Sequence, residues 1–149
     1  MYDAYEKVSR SGILTEGSGN ICEGPGFNIF PVAEAKVATP PRGVLHGITR
    51  EAAMLLLAEM DVPVEARLVA LEELYAADEV FVTSTAGGVM PVTRIGAREV
   101  AGGTMGPMTR ALVDRYWEAH TRPDWSVAVS DVPRVGAAAC GHEVTKASA

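Results

Sequence analysis

The stretch Glu23-Gly24-Pro25-Gly26-Phe27-Asn28-Ile29-Phe30 places one acidic residue directly before a turn rich in glycine and proline, and an apolar run follows that turn. Two short runs with apolar members precede it, at residues 13–16 and 20–23, and Gly17-Ser18-Gly19 separates them. A Gly/Ser-rich connection between two such runs is typical of a β-hairpin. The pattern therefore predicts that Glu23 lies at the end of a strand.

The rest of the chain alternates between predicted strands and helices. Apolar residues recur at helical spacing between Thr49 and Met60, and Thr49 is the predicted N-cap of that helix. Pro107 has the fixed φ that suits the first turn of a last helix. The predicted strands cover residues 28–32, 34–39, 62–69, 79–84 and 89–95, and the predicted helices cover residues 49–60, 71–77 and 106–120. This alternation predicts an α/β fold.

Composition bounds the class of protein. The 149 residues suffice for one domain that buries about two-thirds of its unfolded surface. A net charge of -6 argues against nucleic acid and acidic membrane surfaces as partners. The sequence has no apolar run of the roughly 18 to 20 residues that a membrane-spanning helix needs. Its first residues lack the basic start and apolar stretch of a secretory signal, which predicts a cytoplasmic protein.

The end of the chain differs in composition from the rest. From Val127 to Ala149 the sequence is dominated by Ala, Gly, Ser and Val, with few large apolar residues. A segment of this kind buries too little apolar surface to offset the entropy lost on ordering. Residues 127–149 are therefore predicted to form a weakly ordered tail.

Several polar residues have an ordinary structural explanation when each is taken alone. A glutamate at the end of a strand is usually a solvated edge residue, and Thr49 before an apolar helix is usually a simple N-cap. Asn28 is assigned a structural role at a turn or strand end, and Asp78-Glu79 a structural turn. The three histidines and two cysteines show no metal-binding spacing, so no metal site is predicted.

Three blocks taken together are more specific. Residues 23–30, the run Leu45-His46-Gly47-Ile48-Thr49-Arg50 and the run Thr83-Ser84-Thr85-Ala86-Gly87-Gly88 resemble, in order and spacing, the cofactor-binding half of the class IV (fold type IV) pyridoxal-phosphate aminotransferases. This family includes the branched-chain, D-amino-acid and (R)-amine transaminases. The resemblance runs from about residue 12 to about residue 125. It implies that residues 1–126 form the C-terminal cofactor-binding domain of the D-amino-acid aminotransferase-like fold, a mixed sheet with flanking helices, without the family's smaller N-terminal domain.

The resemblance also implies a site for pyridoxal 5'-phosphate. The carboxylate at the Glu23 position pairs with the pyridinium nitrogen in this family, and the leucine at the Leu45 position packs against the ring. Two further pairs of residues match the positions that bind the cofactor phosphate in this family. They are Ile48 and Thr49 at the start of a helix, where unpaired N–H groups and the helix dipole favour an anion, and Thr85 and Ala86 in a turn whose glycines allow close backbone approach.

The catalytic lysine of the family has no counterpart. In the family the Schiff-base lysine precedes the glutamate by about thirty to thirty-five residues, and the chemistry depends on it. Only 22 residues precede Glu23, and none of Lys7, Lys36 and Lys146 matches the lysine position. The resemblance thus implies no catalytic residue in this chain. It implies a truncated or split chain that forms a homo-oligomer or needs the missing N-terminal segment.

The implied reaction of a complete enzyme is amino-group transfer between an amine or amino acid and a 2-oxo acid. Two alternatives stay open. One is a pyridoxal-phosphate lyase of the same fold, such as the enzyme that removes pyruvate from aminodeoxychorismate. The other is a non-catalytic module for cofactor binding or dimerisation, which would have lost turnover together with the lysine.

Overall fold

The computed structural model describes residues 11–132. Lys7, Lys146 and residues 133–149 of the predicted tail lie outside this range. Within it, a six-stranded mixed sheet carries helices on its faces, as expected of this α/β class. No helix among residues 11–132 is long and apolar enough to cross a membrane.

The main sheet has the strand order β4-β3-β2-β5-β6, and β1 also pairs with β2. Among the described strands, only β3 and β4 pair in parallel. A separate hairpin joins β7 and β8. The strands are β1 (Glu23–Gly24), β2 (Phe27–Ala33), β3 (Lys36–Thr39), β4 (Val64–Ala66), β5 (Glu79–Ser84), β6 (Gly88–Pro91), β7 (Arg94–Ile95) and β8 (Arg98–Glu99).

Residues 11–132 contain three α-helices. They are α1 (Ile48–Glu59), α2 (Leu71–Ala76) and α3 (Pro107–Ala119). Pro107 is in the first turn of α3, as predicted from its fixed φ. Short 3-10 helices cover Ala101–Gly103 and Val129–Asp131, and the second lies in the described part of the predicted tail.

Both faces of the sheet are covered, which explains why β2 is a nearly continuous apolar run. On one face Phe30 and Phe81 stack with ring centroids 4.7 Å apart, beneath α1 and α3. On the other face Ile29 and Val80 pack against Leu74 of α2. The two faces form separate clusters of buried side chains, and the central strands β2 and β5 contribute to both.

The predicted hairpin before Glu23 is present. The Leu14 N–H donates to the Glu23 carbonyl and the Cys22 N–H to the Leu14 carbonyl, each at 2.8 Å. Its turn contains Gly19 with φ +85°, a conformation that favours glycine.

Three predicted strands differ from the structure. The strand predicted over residues 34–39 begins only at Lys36, because Glu34 and Ala35 have positive φ and form the turn after β2. The prediction of one strand over residues 62–69 is wrong, because its partner β3 ends at Thr39 before Pro40-Pro41 and only Val64–Ala66 form a strand. The prediction of one strand over residues 89–95 is also wrong. The chain leaves the main sheet after Pro91 and turns at Gly96, with φ +59°, to pair β7 with β8.

Candidate functional site

The carboxylate of Glu23 is held by one of its two oxygens. Glu23 opens β1 opposite Asn28 of β2. Its Oε2 accepts the Leu45 N–H at 2.8 Å and the Asn28 Nδ2 amide at 3.2 Å. Its Oε1 accepts no hydrogen bond from residues 11–132. The side chain is half-buried, so one fixed carboxylate oxygen is available to a ligand.

Asn28 has a larger role than the turn or strand-end role predicted from the sequence. It lies inside β2, 5% exposed, and pairs with Glu23 on one side and with Thr83 on the other. Its second amide hydrogen is donated to the Leu45 carbonyl at 2.9 Å. Glu23, Asn28 and Leu45 therefore form a closed hydrogen-bonded triangle. Sequence reasoning missed it because its members are separated by up to 22 residues.

The helix α1 begins without a side-chain cap. The prediction that Thr49 is the N-cap is wrong, because Gly47 occupies that position with φ -68° and ψ 137° and no side-chain bond. Thr49 is the second helical residue, 8% exposed. Since the first N–H groups of a helix have no partner within the helix, this end offers free donors and the positive end of the dipole.

The β5–β6 turn supplies a second set of backbone groups. Thr85 and Ala86 are exposed at its tip. No backbone hydrogen bond from the N–H of either residue is found among residues 11–132. The Gly87 N–H donates to Ser84 Oγ at 3.1 Å, and Gly88 has φ +64°. The turn therefore presents free N–H groups on a tightly curved backbone.

These elements meet at one end of the sheet. Asn28 joins β1 to β5 through its pairing with Glu23 and Thr83, and Thr83 lies just before the turn. The start of α1 touches the same residue, because a Cβ on Gly47 would lie 2.6 Å from Asn28 Oδ1. The buried Thr83 hydroxyl has no hydrogen-bond partner in the described part of the chain.

The apolar side chains next to this carboxylate are open to solvent. Leu45 is 72% exposed and Ile48 is 87% exposed. Exposure of that size on two large apolar side chains beside a fixed polar group is typical of a surface that a ligand or another segment covers. The structure thus brings all six predicted residues to one end of the fold. Their roles in binding a ligand stay predictions.

A buried cation lies behind the first turn of α1. Arg50 donates to the Pro40 carbonyl at 3.2 Å, while its Nε has no acceptor within residues 11–132. Burial lowers the pKa of Arg50, because the charged guanidinium loses solvation. The side chain also lines a cavity of about 450 Å³ together with His46, Gly47, Glu51, Met54, Leu55 and Val64.

Lys36 lies away from this end of the sheet. It opens β3 opposite Ala33, five residues along β2 from Asn28. At about 3.3 Å per residue this separates the two positions by roughly 17 Å along the strand. Lys36 is exposed, and it is the only lysine among residues 11–132. The described part of the chain therefore places no lysine beside Glu23. It also holds no cluster of three or more His, Cys, Asp or Glu side chains that could bind a metal.

Sequence comparisons agree with the resemblance. The family model described as amino-transferase class IV matches residues 3–95. A probable branched-chain-amino-acid aminotransferase from Aquifex aeolicus is 44% identical over 110 residues, which is 72% of this chain and 35% of the relative. This chain thus spans well under half the length of the curated relative.

Solved structures show the same partial coverage. The branched-chain amino acid aminotransferase from Escherichia coli superposes with a TM-score of 0.77 at 32% identity, over 84% of this chain and 44% of that one. An aminotransferase from Brucella abortus bound to the co-factor PLP superposes with a TM-score of 0.73 at 30% identity, over 78% and 41%.

Proposed function

Since this chain belongs to the class IV aminotransferase family, we propose that residues 1–126 form the cofactor-binding part of a pyridoxal-phosphate-dependent transaminase. The observation that carries the proposal is the arrangement around Glu23. A fixed carboxylate with one free oxygen lies at the same end of the sheet as an uncapped helix N-terminus and a turn with free N–H groups. The carboxylate suits the ring nitrogen of pyridoxal phosphate, and the free N–H groups suit its phosphate.

Glu23 would hold a proton on the ring nitrogen of the bound cofactor. Its Oε2 is already bonded to Leu45 and Asn28, so Oε1 is the atom that would accept the pyridinium N–H. A carboxylate in this place favours the charged form of the ring over the neutral form. When bound, a pyridinium ring of this cofactor withdraws electrons from the carbon that loses its proton.

The start of α1 and the β5–β6 turn would hold the phosphate. The N–H groups of Ile48 and Thr49 and the Thr49 hydroxyl would bind it from the helix end, and the N–H groups of Thr85 and Ala86 would bind it from the turn. Leu45 covers one face of the ring with its exposed side chain. Together with Glu23, these residues orient the ligand and exclude water from that face.

A further polypeptide segment completes the site. A transaminase needs a lysine to move the proton at the amino carbon, and Lys36 lies at the opposite end of β2. We therefore propose that a second chain, or the N-terminal part that relatives contain, supplies that lysine and covers the exposed Leu45 and Ile48. The substrates are an amino donor and a 2-oxo acid. A branched-chain amino acid is the first donor to test, because the relatives are named for this activity.

Binding of pyridoxamine 5'-phosphate tests the site without requiring any lysine, because this ligand has an amine in place of the aldehyde. We expect the purified full chain to bind it in isothermal titration calorimetry. Pyridoxamine, which lacks the phosphate, should bind at least about tenfold more weakly, because it loses several charge-assisted hydrogen bonds. Equal affinities for the two ligands, or no binding of either, would refute the proposed site.

A second experiment tests whether this chain carries a catalytic lysine of its own, which the position of Lys36 argues against. The chain is incubated with pyridoxal phosphate, reduced with borohydride and mapped by peptide mass spectrometry. We expect no cofactor fixed on Lys7, Lys36 or Lys146 and no transamination by the chain alone. An adduct on one of these lysines would show a relocated catalytic lysine and would overturn the need for another segment. The cytoplasmic location and the absence of nucleic-acid partners stay predictions from composition.

A further inference from the structure

Glu23 keeps its orientation through hydrogen bonds to a single oxygen. A glutamate side chain has three rotatable bonds, and fixing it in one geometry costs conformational entropy. Two donors restrict the Glu23 side chain to one geometry. They are the Leu45 N–H at 2.8 Å and the Asn28 amide at 3.2 Å. The Leu45 donor is part of a loop, whereas Asn28 is buried within the central strand β2. Asn28 is therefore the rigid partner of the pair.

The orientation of the Asn28 amide is determined by its surroundings. Nδ2 faces two acceptors, Glu23 Oε2 and the Leu45 carbonyl at 2.9 Å. The opposite orientation would point a carbonyl oxygen at both, and neither could donate. Oδ1 faces the α-carbon of Gly47, where even one added carbon would lie only 2.6 Å away. Gly47 therefore closes the side of the amide that faces away from its two acceptors.

We propose that Asn28 is a positioning residue that holds Glu23 Oε2 and the Leu45 peptide together, so that Glu23 Oε1 alone faces the pyridine nitrogen. This rests on the proposed function. It assigns two tasks to a side chain for which the sequence predicted only a turn or strand-end role. Asn28 fixes the carboxylate that accepts the ring N–H, and it fixes the residue whose side chain packs against that ring.

The test reads ring protonation directly. Pyridoxamine 5'-phosphate labelled with nitrogen-15 in the ring is bound to the full chain, and the ring resonance is followed by NMR while the pH is raised. On the unchanged chain we expect the ring to stay protonated above the pH at which the free ligand loses its proton. Asn28→Leu keeps the branched shape of the side chain but has no donor, so the ring should titrate close to the free ligand, and affinity should fall about tenfold.

Two further variants keep the result interpretable. Asn28→Ala removes the amide without adding bulk or charge, and it should shift ring titration in the same direction as Asn28→Leu. Asn20→Leu is the matched control, because Asn20 donates to a different carboxylate, Glu16 Oε1, at 2.8 Å in the hairpin turn. It should leave both the ring titration and the affinity unchanged. Circular dichroism checks that each variant is folded.

The outcomes separate the two proposals. If the unchanged chain binds the ligand and Asn28→Leu keeps the same ring titration, Asn28 has no positioning role and only this inference is overturned. If Asn20→Leu shifts the titration as much as Asn28→Leu, the effect is a general loss of structure and the inference is overturned as well. If the unchanged chain does not bind the ligand, the proposed function fails and this inference fails with it.

Discussion

Removing the carboxylate of Glu79 should destabilise the fold by several kcal/mol. This side chain lies at the start of β5, 7% exposed, and reaches the first turn of α3. Its two oxygens accept the Met108 N–H at 2.9 Å, the Thr109 N–H at 2.8 Å and the Thr109 hydroxyl at 2.7 Å. The helix itself offers no side-chain cap, because its N-cap is Gly106. Glu79 therefore caps a helix from a strand that lies 29 residues earlier.

The magnitude follows from the donors that lose their acceptor. Hydrogen bonds to a charged group contribute about 1.5 to 3 kcal/mol each, although they are not additive. A negative charge at a helix N-terminus adds about 0.3 to 1 kcal/mol. The bond to the Met108 N–H is only partly buried, so water can replace Glu79 there, whereas the bonds to Thr109 are buried. We therefore expect Glu79→Ala to cost about 3 to 4 kcal/mol. Glu79→Gln keeps one acceptor oxygen and should cost about half of that.

Urea unfolding followed by circular dichroism measures this effect on the full chain. Glu34→Gln is the control, because the Glu34 side chain is exposed and its removal should change the free energy of unfolding by less than about 0.5 kcal/mol. In a chain of this size, a loss of about 3 kcal/mol corresponds to a fall in Tm of about 6 to 12 °C. A loss below about 1 kcal/mol for Glu79→Ala would show that solvent caps α3 equally well and would refute this reasoning.

Two other predictions follow from local geometry. Gly88→Ala should destabilise the fold by about 2 to 4 kcal/mol, because φ is +64° and the added carbon would lie 2.5 Å from the Tyr116 ring. Gly96 has φ +59° and open space around it, so Gly96→Ala should cost only about 1 to 2 kcal/mol. If Gly88→Ala and Gly96→Ala lower Tm equally, the contact with Tyr116 does not destabilise the Gly88 variant. Hydrogen bonds from Arg122 lower the pKa of Glu59 below its usual value, so this pair should stabilise the fold above that usual value and lose its effect as the pH falls through the lower folded pKa. The difference in urea midpoint between Arg122→Gln and the unchanged chain should therefore shrink in acid. If this difference is the same at every pH, the Arg122–Glu59 pair is not its cause.

The sequence predicted those features that depend on neighbouring residues. Strand β5 was predicted with its observed limits, because a short β-branched and aromatic run ends at a glycine-rich turn. The helix α1 was predicted to within one residue at each end from apolar spacing alone. The family resemblance followed from three short blocks. All of these signals are local, because turn conformation and helical periodicity are set within a few residues.

The tertiary structure decided which polar groups meet and which stay free. Thr49 was predicted as an N-cap, but the chain places Gly47 there and leaves the helix end open. Asn28 was assigned to a turn or strand end, yet β1 and the loop at Leu45 bring two acceptors to its amide. Glu79 was assigned to a turn, yet it caps α3. In each case the partner is fixed by how strands and helices pack across the sheet, and a one-dimensional pattern carries no signal for hydrogen bonds between residues that are far apart in the chain.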